Sequence, residues 1–223
     1  MNKKSLTFLK DTPFFNSGIY DNKTVFENTT KAINNVVKNQ FGLKTYIKIT
    51  QDNQLICYKD DDLMRLLHVE DKIKTSTYDN ISYIAKFPIL KLNELLQLTN
   101  NIPVIFEIDK NNLDYKLKVM DELSLYEGNY AIISKDIDTL KWLYKNYPNV
   151  PIGYKVEKDN LHRFHLFKKY DFIVVNINLY DDKTIKRLKD DYLVIGDNVL
   201  SDDTFEAKKI LYDNLICLPK LEK

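Results

Sequence analysis

Short apolar runs alternate with longer amphipathic stretches along the whole chain. The runs Leu43–Ile49, Leu55–Tyr58, Pro103–Ile108, Tyr130–Ile133, Pro151–Tyr154, Phe172–Val175, Tyr192–Ile195 and Asn214–Cys217 are mostly rich in Val, Ile, Tyr and Phe. They are bounded by Asp, Asn, Gly or Pro, which predicts strands. Between them, Asn28–Asn39, Leu90–Leu98, Ile137–Tyr147, Asp181–Lys189 and Asp202–Leu211 carry helical spacing; in Ile137–Tyr147, for example, Leu140, Leu143, Tyr144 and Tyr147 fall in phase. Repeated β-then-α units imply a parallel sheet, because a parallel return needs a crossover and a helix supplies it. About eight such units in a chain of this size predict a closed α/β architecture, a small (β/α)8 TIM barrel, rather than an open sheet. Leu55–Tyr58 is expected to be a hairpin partner of the second barrel strand, which leaves the first strand to the Leu6–Phe15 region. Asp60–Phe87 has no clean period and is expected to be a small irregular insertion, or lid, after the second barrel strand. With no Gly-, Pro- or Ser-rich linker, residues 1–223 are read as a single domain.

Composition narrows the classes without choosing a function. Apolar residues make up 44% and charged residues 29% of the chain, which excludes disorder. Lys+Arg (33) and Asp+Glu (32) nearly cancel, so no broad electrostatic case exists for nucleic acid. Cys57 and Cys217 sit in apolar strand-like runs, the pattern of buried, reduced thiols. The start MNKKSLTFLKDTPFF lacks the apolar core of a secretory signal, and no run is long enough for a transmembrane segment. The expected location is cytoplasmic. Five glycines leave little room for a phosphate loop or dinucleotide fingerprint, and neither is present. Asp60-Asp61-Asp62 lacks the glycine and distal glutamate of a calcium loop and reads as a solvated loop. His162 and His165 lie three apart on a predicted helix, but no carboxylate-rich motif accompanies them, which argues against a metal site.

One segment carries more information than the rest. Phe41–Leu67 reads FGLKTYIKITQDNQLICYKDDDLMRLL, a strand, a tight turn, a second strand and an acidic loop. This layout resembles the metal-binding segment of the glycerophosphodiester phosphodiesterase family, roughly G-I-E-L-D-V-x-x-T-x-D-G-x-x-V-x-x-H-D followed by L-x-R. Gly42, Thr50, Asp52, Asp60, Leu63 and Arg65 fall on the pattern. Elsewhere, Gly18 keeps the glycine of H-R-G, and Glu27-Asn28-Thr29 the core of P-E-N-T. Phe87-Pro88-Ile89-Leu90 with Asn93-Glu94-Leu95-Leu96 resembles I-P-T-L-x-E-x-L, and Val104–Asp109 resembles N-I-E-I-K. Ile132-Ile133-Ser134 with Leu140 resembles the family's strand-to-helix step. The tryptophan of W-T-V-N has no counterpart around Ile195–Asn198.

The resemblance implies a TIM barrel and an ancestral hydrolysis of glycerophosphodiesters to an alcohol and glycerol 3-phosphate, using a divalent cation (Ca or Mg) and a histidine pair. The residues at those positions have changed. The family histidines align with Asn16 and Lys59, and the neighbouring arginine with Ser17. The metal ligands align with Lys44, Tyr46 and Glu107, so one carboxylate remains of three. One carboxylate does not ordinarily hold a divalent ion, and an asparagine cannot relay a proton as imidazole does. The expectation is a catalytically inactive member, a pseudoenzyme, that binds a phosphorylated ligand such as glycerol 3-phosphate, or a protein partner, at the barrel mouth. Its expected ligand-binding residues are Lys44, Lys59, Glu107 and Arg65. Lys44 is expected to offset Glu107 in place of the metal, Lys59 to add a second positive charge, and Tyr46 to plug the space left by metal and water, so that the pocket is net positive. The ordinary alternative is that both lysines run to solvent at strand ends. The rival reading is an active phosphodiesterase with a rearranged site, built from Glu107, Asp109, His68 and a weakly held cation.

Overall fold

The structure is a computed structural model that describes residues 5–158, 160, 169–200 and 208–219. Eight parallel strands close into a barrel: β1 (Phe14–Asn16), β2 (Gly42–Ile49), β4 (Val104–Ile108), β5 (Tyr130–Ser134), β6 (Ile152–Val156), β7 (Phe172–Asn176), β8 (Leu193–Leu200) and β9 (Asn214–Leu218). β1 pairs with β2 on one side and β9 on the other, which shuts the sheet on itself. β3 (Leu55–Cys57) pairs antiparallel with the upper end of β2, outside the ring. The first barrel strand is shorter and later than the Leu6–Phe15 expectation. Phe8–Asp11 forms a single helical turn, α1, instead. Asn214, at the start of β9, donates to the carbonyls of Leu9 and Thr12 and so holds this turn at the N-terminal end of the barrel.

The described outer helices are α2 (Thr30–Lys38), α5 (Leu92–Leu98), α6 (Leu113–Leu123), α7 (Ile137–Asn146) and α8 (Asp182–Asp191). Side-chain caps open most of them. Thr29, Asn112, Asp136 and Asp181 each accept a backbone N–H three residues on. The helical spacing of α6 is not clear in the sequence. Its exposed face carries Leu113 and Leu117, which blurs the boundary of the stripe formed by Tyr115, Val119, Met120 and Leu123. Positions 202–207 of the expected Asp202–Leu211 helix, and the His162–His165 pair, lie outside the described residues. No described helix is long and apolar enough to cross a membrane.

Two apolar layers follow from strand alternation. The outward-facing set, which includes Leu43, Phe106, Ile132, Ile173 and Val194, packs under the helices. The inward set, Phe14, Ile105, Ala131, Ile133, Phe172, Val174, Ile195 and Ile216, fills the barrel with Leu9 beneath. Two glycines make room for rings in this interior: a Cβ on Gly42 would meet the Phe14 ring, and one on Gly153 the Phe172 ring, each at 2.5 Å.

The insertion is more ordered than its lack of period suggests. It contains α3 (Met64–Leu67), a 3₁₀ turn at Ile73–Thr75 and α4 (Tyr78–Ala85), elements too short to display a sequence period. Ile56, Tyr58, Leu63, Ile73, Ile81, Ala85 and Ile89 form its own small core. The β2–β3 turn that leads into it uses Asn53 in the left-handed region (φ 60°), a conformation asparagine tolerates. Cys57 and Cys217 are free and buried.

Because the Phe172 ring occupies the place of a Gly153 side chain, Gly153→Val is expected to destabilise the fold by about 1–3 kcal/mol through overpacking. Denaturant melts of the two proteins test this. An unchanged midpoint would mean that the interior yields at this level.

Candidate ligand site at the barrel mouth

Strand alternation aims Lys44, Tyr46 and Lys48 of β2 inward, and likewise Glu107 of β4, Lys155 of β6 and Asp197 of β8. Lys44 and Glu107 meet: Nζ lies 2.6 Å from Oε2, with both side chains buried. The contact is one of charge, since the Lys44 ammonium makes no aligned hydrogen bond with the protein. Instead its Nζ sits 3.4 Å from the centre of the Tyr46 ring, whose electron-rich face attracts a cation. Tyr46 therefore plugs the volume above Lys44. Asn16 donates to the Tyr46 hydroxyl at 3.3 Å, and Ser17 donates to Asn16, so four replaced positions of the family pattern now contact one another.

The second ammonium on Glu107 comes from Lys155, a position outside the family pattern. It donates to both carboxylate oxygens, at 2.9 and 3.0 Å, and its Nζ lies 3.9 Å from Asp197. The only signal for it in the chain is a lysine at an inward position of a strand otherwise apolar, Ile152–Val156. Burial on its own would push the Glu107 carboxyl up, but Lys44 and Lys155 outweigh it and hold it down to about 2. Burial pulls the Lys155 amine down; Glu107, with Asp197 behind it, wins and raises it well above the ordinary lysine range.

Above this floor opens a cavity of about 530 Å³. Its walls carry the cations Lys48, Lys59, Arg65, Lys135 and Lys155, and the carboxylates Asp60, Asp61, Asp62, Glu107, Asp109 and Glu157. Five against six corrects the expectation of a net positive pocket: the insertion supplies acids as well as bases. Most of the charges are already spoken for. Arg65 grips the buried Glu27 carboxylate with two nitrogens, at 2.6 and 2.9 Å, and reaches Asp60 as well. This fork ties the insertion to the loop before α2. Lys48 binds Asp61, at 2.6 Å, and Asp109. Lys135 faces Glu157 at 3.7 Å. Lys59, half-buried in the wall, has no ion pair among the described residues. Of the expected ligand contacts, Lys59, Arg65 and Glu107 line the cavity, whereas Lys44 lies under Tyr46 and out of reach of solvent. His68 ends α3 in an exposed, left-handed position and is not part of the cavity wall.

The donor set does not suit the divalent cation that the resemblance implies. Two of the three ligand positions hold an ammonium and a phenol, and the remaining carboxylate already has ammonium nitrogens at 2.6 and 2.9 Å from one oxygen. Among the described residues, no three His, Cys, Asp or Glu side chains gather as a cation site.

No known family model matches the sequence, and no curated protein matches it. The fold has clear counterparts among solved structures. The chain superimposes on a glycerophosphodiester phosphodiesterase of Thermotoga maritima with a TM-score of 0.76 and 16% identity, over 92% of this chain and 94% of that one. A glycerophosphodiester phosphodiesterase of Parabacteroides distasonis gives 0.74 and 15%, over 93% of each. A phosphodiesterase of Oleispira antarctica, solved in complex with the product sn-glycerol-3-phosphate, gives 0.76 and 13%, over 94% and 93%. The barrel with its extra strand is thus the fold of these phosphodiesterases.

Removing one ammonium should leave Glu107 with Lys155 alone. Lys44→Met is expected to cost about 1–3 kcal/mol. Combined with Glu107→Gln, the loss should fall short of the sum of the single losses by at least about 0.5 kcal/mol. Melts of the two single variants and the double variant measure this coupling, and strict additivity would show that the pair contributes nothing.

Acid offers an independent check. The folded value of Glu107, about 2, lies below its ordinary 4.5, so its contribution is complete above pH 4.5 and is lost as pH falls towards 2. Between those values wild type should lose stability more steeply than Glu107→Gln. Parallel pH profiles of the two proteins would remove Glu107 from the acid response.

Proposed function

We propose that this chain is a non-catalytic relative of the glycerophosphodiester phosphodiesterases that binds a phosphorylated small molecule at the mouth of its barrel, without a divalent ion. The observation that carries this reading is the state of Glu107. A carboxylate held between two ammonium groups is already neutralised, and their positive charge opposes a metal ion at the same place; fixed protein charge stands where a cation would polarise a phosphoryl oxygen. At the positions of the acid/base pair stand Asn16, tied to Tyr46, and Lys59. Neither supplies the paired proton relay that in-line hydrolysis needs.

Binding is supported separately. Lys59 offers the cavity an ammonium that has no ion pair among the described residues, and Arg65 presents a guanidinium already set by Glu27 and Asp60. Lysine and arginine are the ordinary partners of phosphate. Glycerol 3-phosphate is the simplest ligand of this kind, and a protein of the same fold holds it. Lys44 contributes indirectly in this reading, by keeping Glu107 and Tyr46 in place.

Purified protein is expected to release no glycerol 3-phosphate from glycerophosphocholine or glycerophosphoethanolamine above background, with Mg²⁺ or Ca²⁺ present. Loss of one acid/base group typically costs about 10²–10⁴-fold, and both positions are changed here. Glycerol 3-phosphate should raise the melting temperature, and Lys59→Ala should abolish the rise. Turnover that disappears in Glu107→Ala or His68→Ala would overturn the non-catalytic reading. A melting temperature indifferent to glycerol 3-phosphate would overturn the ligand.

A further inference from the structure

Beside the mouth lies a second chamber of about 370 Å³. Lys48, Asp61, Asp62 and Asp109 belong to the walls of both spaces. The Lys48 ammonium, bound to Asp61 and Asp109, lies between them and offsets one of the two negative charges it touches. The third, Asp62, accepts the Met64 N–H.

The far wall is different in kind. Lys72 and Lys74 flank Ile73 in the insertion, and Lys110 follows β4. Three lysines from two separate stretches of chain line one concave space. None of them has an ion pair or a side-chain hydrogen bond among the described residues. In the mouth, by contrast, Lys48, Arg65, Lys135 and Lys155 all face acids. Exposed ammonium groups without a protein partner, set round a concave space whose lining includes the buried Ile47, Ile73 and Tyr115, are suited to an anionic group.

We propose that the side chamber is a second anion subsite, and that the molecule received at the mouth carries two phosphoryl groups, one for each chamber. This rests on the reading of the mouth as a site for a phosphorylated ligand and extends it to a bisphosphorylated one. The Lys48 bridge then lies between the two groups, where the linking part of the ligand crosses from one chamber to the other.

Isothermal titration of the full chain tests it, with glycerol 3-phosphate as the single-phosphate probe and a series of straight-chain diol bisphosphates, from butanediol to octanediol, as the paired probes. At least one bisphosphate is expected to bind about tenfold or more tightly than glycerol 3-phosphate. The variant Lys72→Ala/Lys74→Ala/Lys110→Ala should erase that gain and leave glycerol 3-phosphate binding unchanged. A control, Lys10→Ala/Lys38→Ala/Lys145→Ala, removes the same charge elsewhere and should keep it. Bisphosphates no tighter than glycerol 3-phosphate, or a gain that survives the first variant or is lost equally in the control, would overturn the second subsite. Loss of glycerol 3-phosphate binding alone, with a bisphosphate still captured through Lys72, Lys74 and Lys110, would instead overturn the mouth reading and leave the side chamber standing.

Discussion

A buried carboxylate has to be neutralised, and the way this barrel neutralises Glu107 governs the rest of its mouth. Removing a carboxylate from water is costly unless opposite charge and hydrogen bonds replace the solvent. Here Lys44 approaches from β2 and Lys155 from β6, so the compensation is built from covalently attached cations. The other adjustments follow. Lys44 needs a cover for the faces Glu107 does not touch, and Tyr46 provides an aromatic one. Tyr46 needs a partner for its hydroxyl, and Asn16 provides it. Lys155 has Asp197 on its other side. Each of these side chains is satisfied by the next, so the group is intelligible only as a set.

The residues that still match the family pattern form a second group with a different task. Gly18 adopts a φ of 102° and lies so close to Ala32 that a Cβ would sit 2.7 Å from that methyl. Glu27 receives the Arg65 fork, Asn28 takes a left-handed conformation and accepts from Thr45, and Thr29 caps α2. Thr50 and Asp52 bond to each other across the β2–β3 turn, and Asp52 also accepts the Tyr78 N–H. These are joints of the scaffold: they set the first loop, the hairpin and the seat of the insertion. The residues that match the pattern thus lie where the chain is shaped, and those that depart from it lie at the barrel mouth.

This division explains how much could be read from residues alone. The barrel was legible because alternation of strands and helices is a property of each short segment, and the hairpin partner of β2 followed from the turn chemistry of Thr50 to Gln54. The approach of Lys44 to Glu107 was legible because the family pattern places both side chains at neighbouring inward positions. Lys155 was not, because its role depends on a strand two places round the ring from β4, with no local sequence mark beyond one lysine among apolar residues. The charge balance of the mouth was hidden for a similar reason. Asp60, Asp61 and Asp62 read as a solvated run, yet the insertion brings Asp60 to Arg65 and Asp61 to Lys48. The short helices α3 and α4 and the small core of the insertion were invisible because four to eight residues do not establish a period.

The closing seam has a consequence for the order in which the molecule can be built. β1 is only three residues long and pairs with β2, which follows it closely, and with β9, some two hundred residues later. A chain emerging vectorially from the ribosome can assemble β1, β2, β4 and the insertion early, but it must carry an unsealed edge until β9 arrives. Contacts between such distant partners are slow to form, because chain entropy is spent long before they return anything. The same timing applies to the charges: Lys44 and Glu107 are synthesised well before Lys155. During that interval Glu107 has one of its two cations, and the growing barrel is open to water at the very place where the finished one buries this carboxylate.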